Sequence, residues 1–326
     1  MKNLSIISII LFFQAYLISG CDNKSEPDIN YRQEMRNFVQ GISNYAKQIK
    51  SAFIVIPQNG HTLLTENGEA TGPLSQSYIE AIDGIGREDL FYGYEEDNKP
   101  TSESERNSMI AFMDLAETNG IEVLVTDYCW TQSFVDSSYT MSEARGYISF
   151  AADKRELNNV PAYPVVPHNV NSNDITSLKD TKNFLYLINP SLYSTKETYL
   201  NAVRNTDYDL VIIDLFYNDE ELNADDVVFL KIKKNGAGRL AIAYMSIGEA
   251  ESYRYYWKKE WETNPPSWLA GENPDWPGNY KVRYWDKDWQ RIIYGNDSSY
   301  LKKIIDAGFD GVYLDIIDVY EYFEGE

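Results

Sequence analysis

Short apolar runs alternate along the chain with longer stretches in which apolar residues recur at helical spacing. The runs are rich in β-branched and aromatic residues and occupy residues 52–56, 89–92, 122–126, 146–151, 184–188, 210–213, 240–246 and 311–314. The helical spacing predicts helices over residues 31–49, 102–118, 196–204, 224–233 and 289–306. This alternation is typical of α/β folds built from βα units. Eight strands are the number that closes a (β/α)8 TIM barrel.

The last predicted strand lacks a helix of its own. It runs into Asp315 and Asp318, and only eight residues follow Asp318. A barrel strand needs a helix packed against it, so we expect the helix over residues 31–49 to supply that cover from the other end of the chain. Residues 159–182, rich in Pro, Asn and Ser, predict a surface connection. One domain over residues 29–326 is the simplest organisation.

The interval over residues 248–289 differs in composition from the rest of the chain. It holds six of the seven tryptophans and four of the twelve prolines. Because proline interrupts helices, this interval predicts a large aromatic loop.

The first residues of the chain have the pattern of an export signal. Lys2 precedes an apolar stretch over residues 4–17, and Ser19-Gly20-Cys21 follows it. This pattern predicts a lipoprotein signal peptide over residues 1–20, a lipidated Cys21 and a polar tether over residues 21–28. A transmembrane helix is the weaker alternative, since Gln14 interrupts a run shorter than the ~20 residues of a span. We expect an exported bacterial lipoprotein, periplasmic or at the cell surface and anchored in the membrane.

Charge and residue counts exclude several functional classes. With 29 Lys plus Arg against 50 Asp plus Glu, the formal charge is −21, which opposes binding to nucleic acid. Only two histidines are present, and neither a GxGxxG nor a P-loop sequence occurs. We therefore expect no metal and no cofactor.

Several strand ends resemble those of a known enzyme family. Residues 243–257, 280–289 and 308–318, together with residues 56–60 and 84–92, resemble glycoside hydrolase family 114, which contains endo-α-1,4-polygalactosaminidases on a TIM barrel. In that family the stretches resembling residues 184–318 come first and those resembling residues 31–157 follow. The resemblance therefore implies a circularly permuted barrel. A two-domain arrangement of half-barrels is the alternative.

The resemblance also implies a catalytic pair. Glycoside hydrolysis needs one carboxylate that attacks or activates water and one protonated carboxyl that delivers a proton. Asp315 resembles the nucleophile or base of the family, and Glu88 resembles its acid. The structural alternatives are a capping role for Asp315 and an ion pair with Arg87 for Glu88.

Further polar and aromatic residues near strand ends are candidates for substrate binding. They are Asp214, Tyr244, Glu249, Asp318, Gln58, Asn59, Asp127, Tyr128, Tyr284 and Trp285. The amides and carboxylates are equally suited to capping turns, and the aromatic residues to packing in the core. The function implied is hydrolysis of α-linked galactosamine-containing polysaccharide. The alternative is a surface lipoprotein that binds carbohydrate on the same barrel without turnover.

Overall fold

The computed structural model describes residues 29–325 of the chain. The predicted signal peptide, Cys21 and the tether up to residue 28 lie outside the described residues. Tyr31–Glu326 form one compact unit. Within the described part of the chain, no helix combines the length and the apolar character that crossing a bilayer requires.

Strands and helices alternate through most of this unit. The strands are β1 (Ile54–Pro57), β2 (Gly84–Glu88), β3 (Glu122–Tyr128), β4 (Ile148–Ala152), β5 (Phe184–Tyr186), β6 (Leu210–Asp214), β7 (Phe216–Tyr217), β8 (Glu220–Glu221), β9 (Leu240–Ser246), β10 (Glu249–Glu251), β11 (Leu269–Glu272), β12 (Asn279–Val282) and β13 (Gly311–Asp315). The α-helices are α1 (Tyr31–Ile49), α2 (Gln76–Ile79), α3 (Glu103–Thr118), α4 (Gln132–Glu143), α5 (Lys196–Arg204), α6 (Ala224–Leu230), α7 (Lys287–Ile293), α8 (Tyr300–Asp306) and α9 (Tyr320–Glu324). Short 3-10 helices cover His61–Leu64, Leu178–Asp180, Lys259–Glu262 and Ile317–Val319.

Eight of the strands described in residues 29–325 form two parallel sheets. Their orders are β1-β13-β9-β6-β5 and β2-β3-β4. The sheets meet at β1 and β2, where Gln58 and Gly86 form a parallel bridge and the Asn59 N–H donates to the Gly86 carbonyl over 2.8 Å. At the other edges β4 and β5 are in contact, and the ring centroids of Phe150 and Phe184 lie 5.7 Å apart. The fold is therefore α/β with parallel sheets.

The strands of these sheets are buried on both faces. Every residue of β6 and β9 is buried, which explains why the sequence shows continuous apolar runs rather than alternation. Between the strands, the rings of Tyr186 and Tyr313 pack at 5.2 Å. Gly86 faces the Tyr313 hydroxyl so closely that no Cβ would fit. The glycine therefore makes room for a large aromatic residue inside the sheet.

The predicted strand over residues 89–92 is wrong. The strand is β2, which ends at Glu88, and the chain then turns at Asp89 with a left-handed φ of 59°. The apolar residues that follow, Leu90, Phe91 and Tyr92, are buried in a loop. They share the hydrophobicity of a buried strand but not its backbone conformation. β2 itself contains Gly84 and Gly86, and glycine weakens the strand signal.

Two further predictions require correction. The helix predicted over residues 289–306 is divided into α7 and α8, because Gly295 takes a φ of 95° and Asn296 accepts the Ser298 N–H over 2.9 Å. The predicted aromatic loop over residues 248–289 contains an antiparallel sheet in the order β10-β12-β11. Helix α4 was not predicted.

Helix α1 packs beside elements from the other end of the chain. Its apolar stripe is buried, and it contacts α8 and α9, which flank β13. Arg32 Nε lies 2.9 Å from a carboxylate oxygen of Glu324. Lys50 Nζ lies 3.0 Å from Asp310, just before β13. These contacts fasten α1 to the final strand and its neighbours.

The connection over residues 159–182 is tied to the sheet through a buried ion pair. Lys233 Nζ lies 2.7 Å from Asp209 Oδ1, and both side chains are fully buried. Asn171 Nδ2 donates to Asp209 Oδ2 over 2.8 Å. The connection is irregular apart from Leu178–Asp180, and its position depends on these polar contacts.

Candidate active site

A cavity of about 600 Å³ opens at the carboxyl ends of the parallel strands. Nine of the predicted site residues line it: Gln58, Asn59, Glu88, Tyr128, Asp214, Tyr244, Glu249, Asp315 and Asp318. In folds built on parallel strands, this is the edge at which ligands bind. The structure thus brings together both predicted catalytic residues and most of the predicted binding residues.

Glu88 ends β2 and accepts hydrogen bonds from three side chains. Gln58 Nε2 donates to Oε2 over 2.6 Å and Asn59 Nδ2 over 3.2 Å, while the Tyr128 hydroxyl donates to Oε1. The Tyr186 hydroxyl donates to Gln58 Oε1 over 2.9 Å. That bond fixes the amide so that its NH₂ group faces Glu88. Three donors thus hold the carboxyl of Glu88 in one orientation at the cavity.

Asp315 ends β13 and has two hydrogen-bond donors. The Tyr244 hydroxyl donates to Oδ2 over 2.7 Å, and the Ile316 N–H donates to Oδ1 over 2.8 Å. Burial raises the pKa of Asp315 to about 8, and the negative charge of Glu88 acts in the same direction against the two hydrogen bonds. Burial therefore favours the protonated form of Asp315 in the unliganded site.

The backbone is strained where the strands enter this cavity. Ile316, Asn59 and Asp89 follow β13, β1 and β2 and have φ values of 58°, 61° and 59°. A left-handed conformation is uncommon for a β-branched residue such as Ile316. Strain of this kind costs about 1–3 kcal/mol per residue and is concentrated at functional sites.

The contacts of Asp315 and Glu88 agree only in part with the structural alternatives, which were a capping role for Asp315 and an ion pair with Arg87 for Glu88. Asp315 accepts the N–H of the next residue, as a capping residue would, but its other oxygen faces Tyr244. Arg87 Nη1 lies 3.4 Å from His61 Nδ1, and the donors of Glu88 are Gln58, Asn59 and Tyr128. Burial, with a smaller effect from Arg87, lowers the pKa of His61 to about 3. That imidazole is therefore neutral.

A buried ion-pair cluster forms another part of the cavity wall. Arg254 donates to both oxygens of Asp214 over 2.8 and 2.6 Å, and its Nε donates to Glu251 over 2.6 Å. The Tyr253 hydroxyl also donates to Glu251 over 2.6 Å. Burial raises the pKa of Asp214, and Arg254 opposes that effect. This cluster positions the segment after β9 against β6.

Glu249 and Asp318 lie on the same wall. Glu249 Oε1 accepts from Asn273 Nδ2 over 2.8 Å and lies 3.9 Å from Lys281 Nζ. Burial raises the pKa of Glu249. For Asp318, burial and then the charge of Glu321 raise the pKa to about 6.

Three predicted binding residues do not line this cavity. Asp127 is fully buried and accepts from Ser138 over 2.6 Å and from two backbone N–H groups of the loop after β2. The Tyr284 hydroxyl donates to the Tyr31 carbonyl over 2.8 Å, and the Trp285 ring packs 5.0 Å from the ring of Tyr31. Their contacts are those of a turn-capping residue and of core aromatic residues.

The second half of the chain matches a family model, that of glycoside-hydrolase family GH114, over residues 168–326. This part of the chain is similar to GH114. The match confirms the family resemblance predicted from residues 243–257, 280–289 and 308–318, and it indicates a glycoside hydrolase. Residues 56–60 and 84–92 lie outside it. Asp214, Tyr244, Glu249, Asp315 and Asp318 lie within the GH114 region. The other predicted lining residues, Glu88 among them, precede it, so the cavity is shared between both halves of the chain.

Three curated relatives are similar to part of the chain, and all are uncharacterized proteins. One from Methanocaldococcus jannaschii is 39% identical over 186 residues, which are 54% of this chain and 49% of the relative. One from Deinococcus radiodurans is 44% identical over 125 residues, 38% of each chain. One from Thermotoga maritima is 40% identical over 135 residues, 41% of this chain and 40% of the relative. The matched segments span about half of these relatives or less.

The cavity residues that were not predicted from the sequence include two arginines. Arg254 bonds to a carboxylate 40 positions away. Arg155 lies 3.9 Å over the ring of Tyr128 and pairs with Asp89 and Asp97 over 2.8 and 2.6 Å. No local pattern marks such partners. Among residues 29–325, no group of three or more His, Cys, Asp or Glu side chains is arranged to hold a metal ion.

Proposed function

We propose that the protein is an exported glycoside hydrolase that cleaves α-linked galactosamine-containing polysaccharide, with Asp315 and Glu88 as its catalytic pair. The observation that carries this proposal is that both carboxyls line one cavity and that the charge of Glu88 acts on Asp315. One protonated carboxyl and one carboxylate are the groups that glycoside hydrolysis requires. The GH114 match supports the reaction class, and the family resemblance supports the substrate class.

We infer that the parallel strands close into a (β/α)8 barrel whose sequence is circularly permuted. The two strand orders, the Gln58–Gly86 bridge and the contact between Phe150 and Phe184 support closure. Permutation is supported by the packing of α1 beside the elements that flank β13 and by a family match confined to the second half of the chain.

The charge of the cavity supports a cationic sugar. Both arginines that line the cavity already form salt bridges. Arg254 pairs with Asp214 and Glu251, and Arg155 pairs with two aspartates outside the cavity lining. Within residues 29–325, Glu88, Asp315 and Asp318 form no salt bridge, and Glu249 lies 3.9 Å from Lys281. A substrate with free amino groups complements this wall, whereas a polyuronate would be repelled.

The proposed roles require the proton of the pair to move when substrate binds. Asp315 acts as nucleophile or base and must be ionised, although burial favours its protonated form in the unliganded site. An ammonium group bound nearby favours the ionised form of Asp315. Glu88 then holds the proton and delivers it to the oxygen of the leaving sugar.

Cleavage of a partially deacetylated α-1,4-galactosamine polymer tests this function. The wild type should release shortened oligosaccharides, detected by mass spectrometry and by new reducing ends. Glu88→Gln and Asp315→Asn should each lose roughly 10²- to 10⁴-fold in rate while remaining folded. Glu260→Gln, which removes an exposed carboxylate, is the matched control. Near-normal rates in both variants would disprove the assignment.

An aryl glycoside with a good leaving group separates the two roles. Departure of such a group needs no proton, so Glu88→Gln should recover a large part of the wild-type rate on this substrate. Asp315→Asn should remain inactive on both substrates. The opposite result would exchange the two roles.

Two further outcomes bear on the proposal. Binding of the polymer without cleavage, unaffected by Glu88→Gln, would favour a carbohydrate-binding lipoprotein instead. For the predicted anchor, metabolic labelling with palmitate should mark the wild type and not Cys21→Ala, and equal labelling would reject lipidation at this residue.

A further inference from the structure

Arg155 follows β4, lines the cavity and binds the loop after β2 through its guanidinium group. It donates to the two oxygens of Asp89 over 2.8 and 3.3 Å. Its Nε and Nη2 atoms donate to Asp97 over 2.8 and 2.6 Å, and Nη2 also donates to the Gly93 carbonyl over 3.1 Å. Several bonds made in the plane of a guanidinium group fix its orientation. The head group of Arg155 is therefore held in one position.

The same guanidinium group lies over a tyrosine ring. The Cζ atom of Arg155 is 3.9 Å from the centroid of the Tyr128 ring, and Tyr128 is buried. A guanidinium group at this distance is attracted to the face of the ring. The Tyr128 hydroxyl donates to Oε1 of Glu88. A displacement of Arg155 would therefore move the hydroxyl that orients the proposed acid.

Arg155 also acts on Glu88 through the backbone. Asp89 directly follows Glu88 and has a left-handed φ of 59°. A conformation of this kind persists only where the surrounding contacts hold it, and the two bonds from Arg155 to the Asp89 carboxylate are such contacts. Gly93 leaves room for them, because a Cβ at this glycine would collide with that carboxylate. One arginine thus fixes both the turn after Glu88 and the tyrosine bonded to it.

We propose that Arg155 is a positioning residue, which holds Tyr128 and the turn after β2 so that the carboxyl of Glu88 is aligned with the oxygen of the leaving sugar. This inference rests on the proposed function and adds a residue that acts through the proposed acid. Lysine at this position would keep the positive charge, but its ammonium group lacks the planar fork that binds two aspartates while it lies over a ring. Arg155→Lys therefore removes the alignment and leaves the charge of the cavity unchanged.

Two substrates and one double variant test this inference. Arg155→Lys should lower kcat on the α-1,4-galactosamine polymer about tenfold or more, because proton delivery depends on the alignment of the acid. On an aryl glycoside whose leaving group needs no proton, the same variant should lose less than about threefold. In a Glu88→Gln background, Arg155→Lys should add less than about threefold to the loss on the polymer, because residues that act as a unit are not additive.

Two further variants complete the test. Arg145→Lys is the matched control, since Arg145 precedes β4, whereas Arg155 follows it, and pairs with Asp114 over 2.7 Å; it should leave these rates unchanged. Asp97→Asn removes one partner of Arg155 and should give a smaller loss with the same dependence on the leaving group. Thermal unfolding shows whether each variant is folded, and Asp97→Asn decides the inference if Arg155→Lys does not fold.

The outcomes separate this inference from the proposed function. If the wild type cleaves the polymer, the positioning role is overturned by equal losses on both substrates, by full additivity with Glu88→Gln, by a change confined to KM or by no change at all. Each of these results leaves the hydrolase intact. A wild type that cleaves neither substrate overturns both, because Arg155 then has no proton delivery to position.

Discussion

Replacing Asp315 with Asn tests the electrostatics of the proposed catalytic pair through stability. Burial and the charge of Glu88 raise the pKa of Asp315 from 3.8 to about 8. Between these values the folded protein holds one proton more at this position than the unfolded chain does. The stabilising contribution of Asp315 is therefore fully present below pH 3.8 and is lost as the pH rises towards 8.

The size of the effect follows from this difference in bound protons. One proton corresponds to about 1.36 kcal/mol per pH unit, or about 2.7 kcal/mol between pH 5 and 7. Asp315 is partly open to the cavity, where water screens the charge of Glu88, so we expect about 1–2 kcal/mol. Asparagine does not ionise, so Asp315→Asn lacks this loss of stability. Between pH 5 and pH 7, its free energy of unfolding should therefore rise by this amount relative to that of the wild type.

Urea unfolding at pH 5 and pH 7 measures this difference. Titration of distant groups cancels between the two proteins, and Asp297→Asn, which changes an exposed carboxyl, provides the control. Glu88→Gln should reduce the pH dependence, because after burial the charge of Glu88 is the largest cause of the raised pKa of Asp315. A difference between Asp315→Asn and wild type that stays constant within about 0.5 kcal/mol would refute the reasoning.

Two further predictions concern polar contacts. Tyr186→Phe removes the hydroxyl that fixes the amide of Gln58, so Glu88 loses an oriented donor and kcat/KM should fall about tenfold. An unchanged kcat/KM would contradict this positioning role. Lys233→Met leaves the carboxylate of Asp209 buried without its cation and should lower the free energy of unfolding by about 3–5 kcal/mol in urea titrations. Adding Asp209→Asn to that variant should recover part of the loss, and no recovery would reject the ion pair as the cause.

Local sequence patterns were sufficient to predict those helices and strands whose structure depends mainly on their own residues. The apolar stripe of Tyr31–Ile49 and the apolar run of Leu240–Ser246 predicted α1 and β9 with the observed bounds. Asp315 was predicted at a strand end because the apolar residues before it form a continuous run. The parallel sheets followed from the alternation of such elements.

The features that the sequence did not predict depend on contacts between residues that are distant in the chain. The position of β2 depends on Gly86 meeting the hydroxyl of Tyr313, a contact between distant strands. Arg254 is recognised as a cavity residue only once Asp214 and Glu251 are known to converge on it. The sheet formed by β10, β11 and β12 was obscured because its tryptophans and prolines have the composition of a loop.

The pairing of β1 with β13 has a consequence for biosynthesis. Ile54 lies opposite Gly311, so an early strand stays unpaired until roughly 250 further residues have been made. Long-range pairing of this kind slows folding, since a large loop must close before the contact forms. Glu88 lies in the part of the chain that is made early, and Asp315 lies in the strand that is made last. A chain still emerging from the ribosome therefore has an incomplete cavity, which is completed only when the last strand is available.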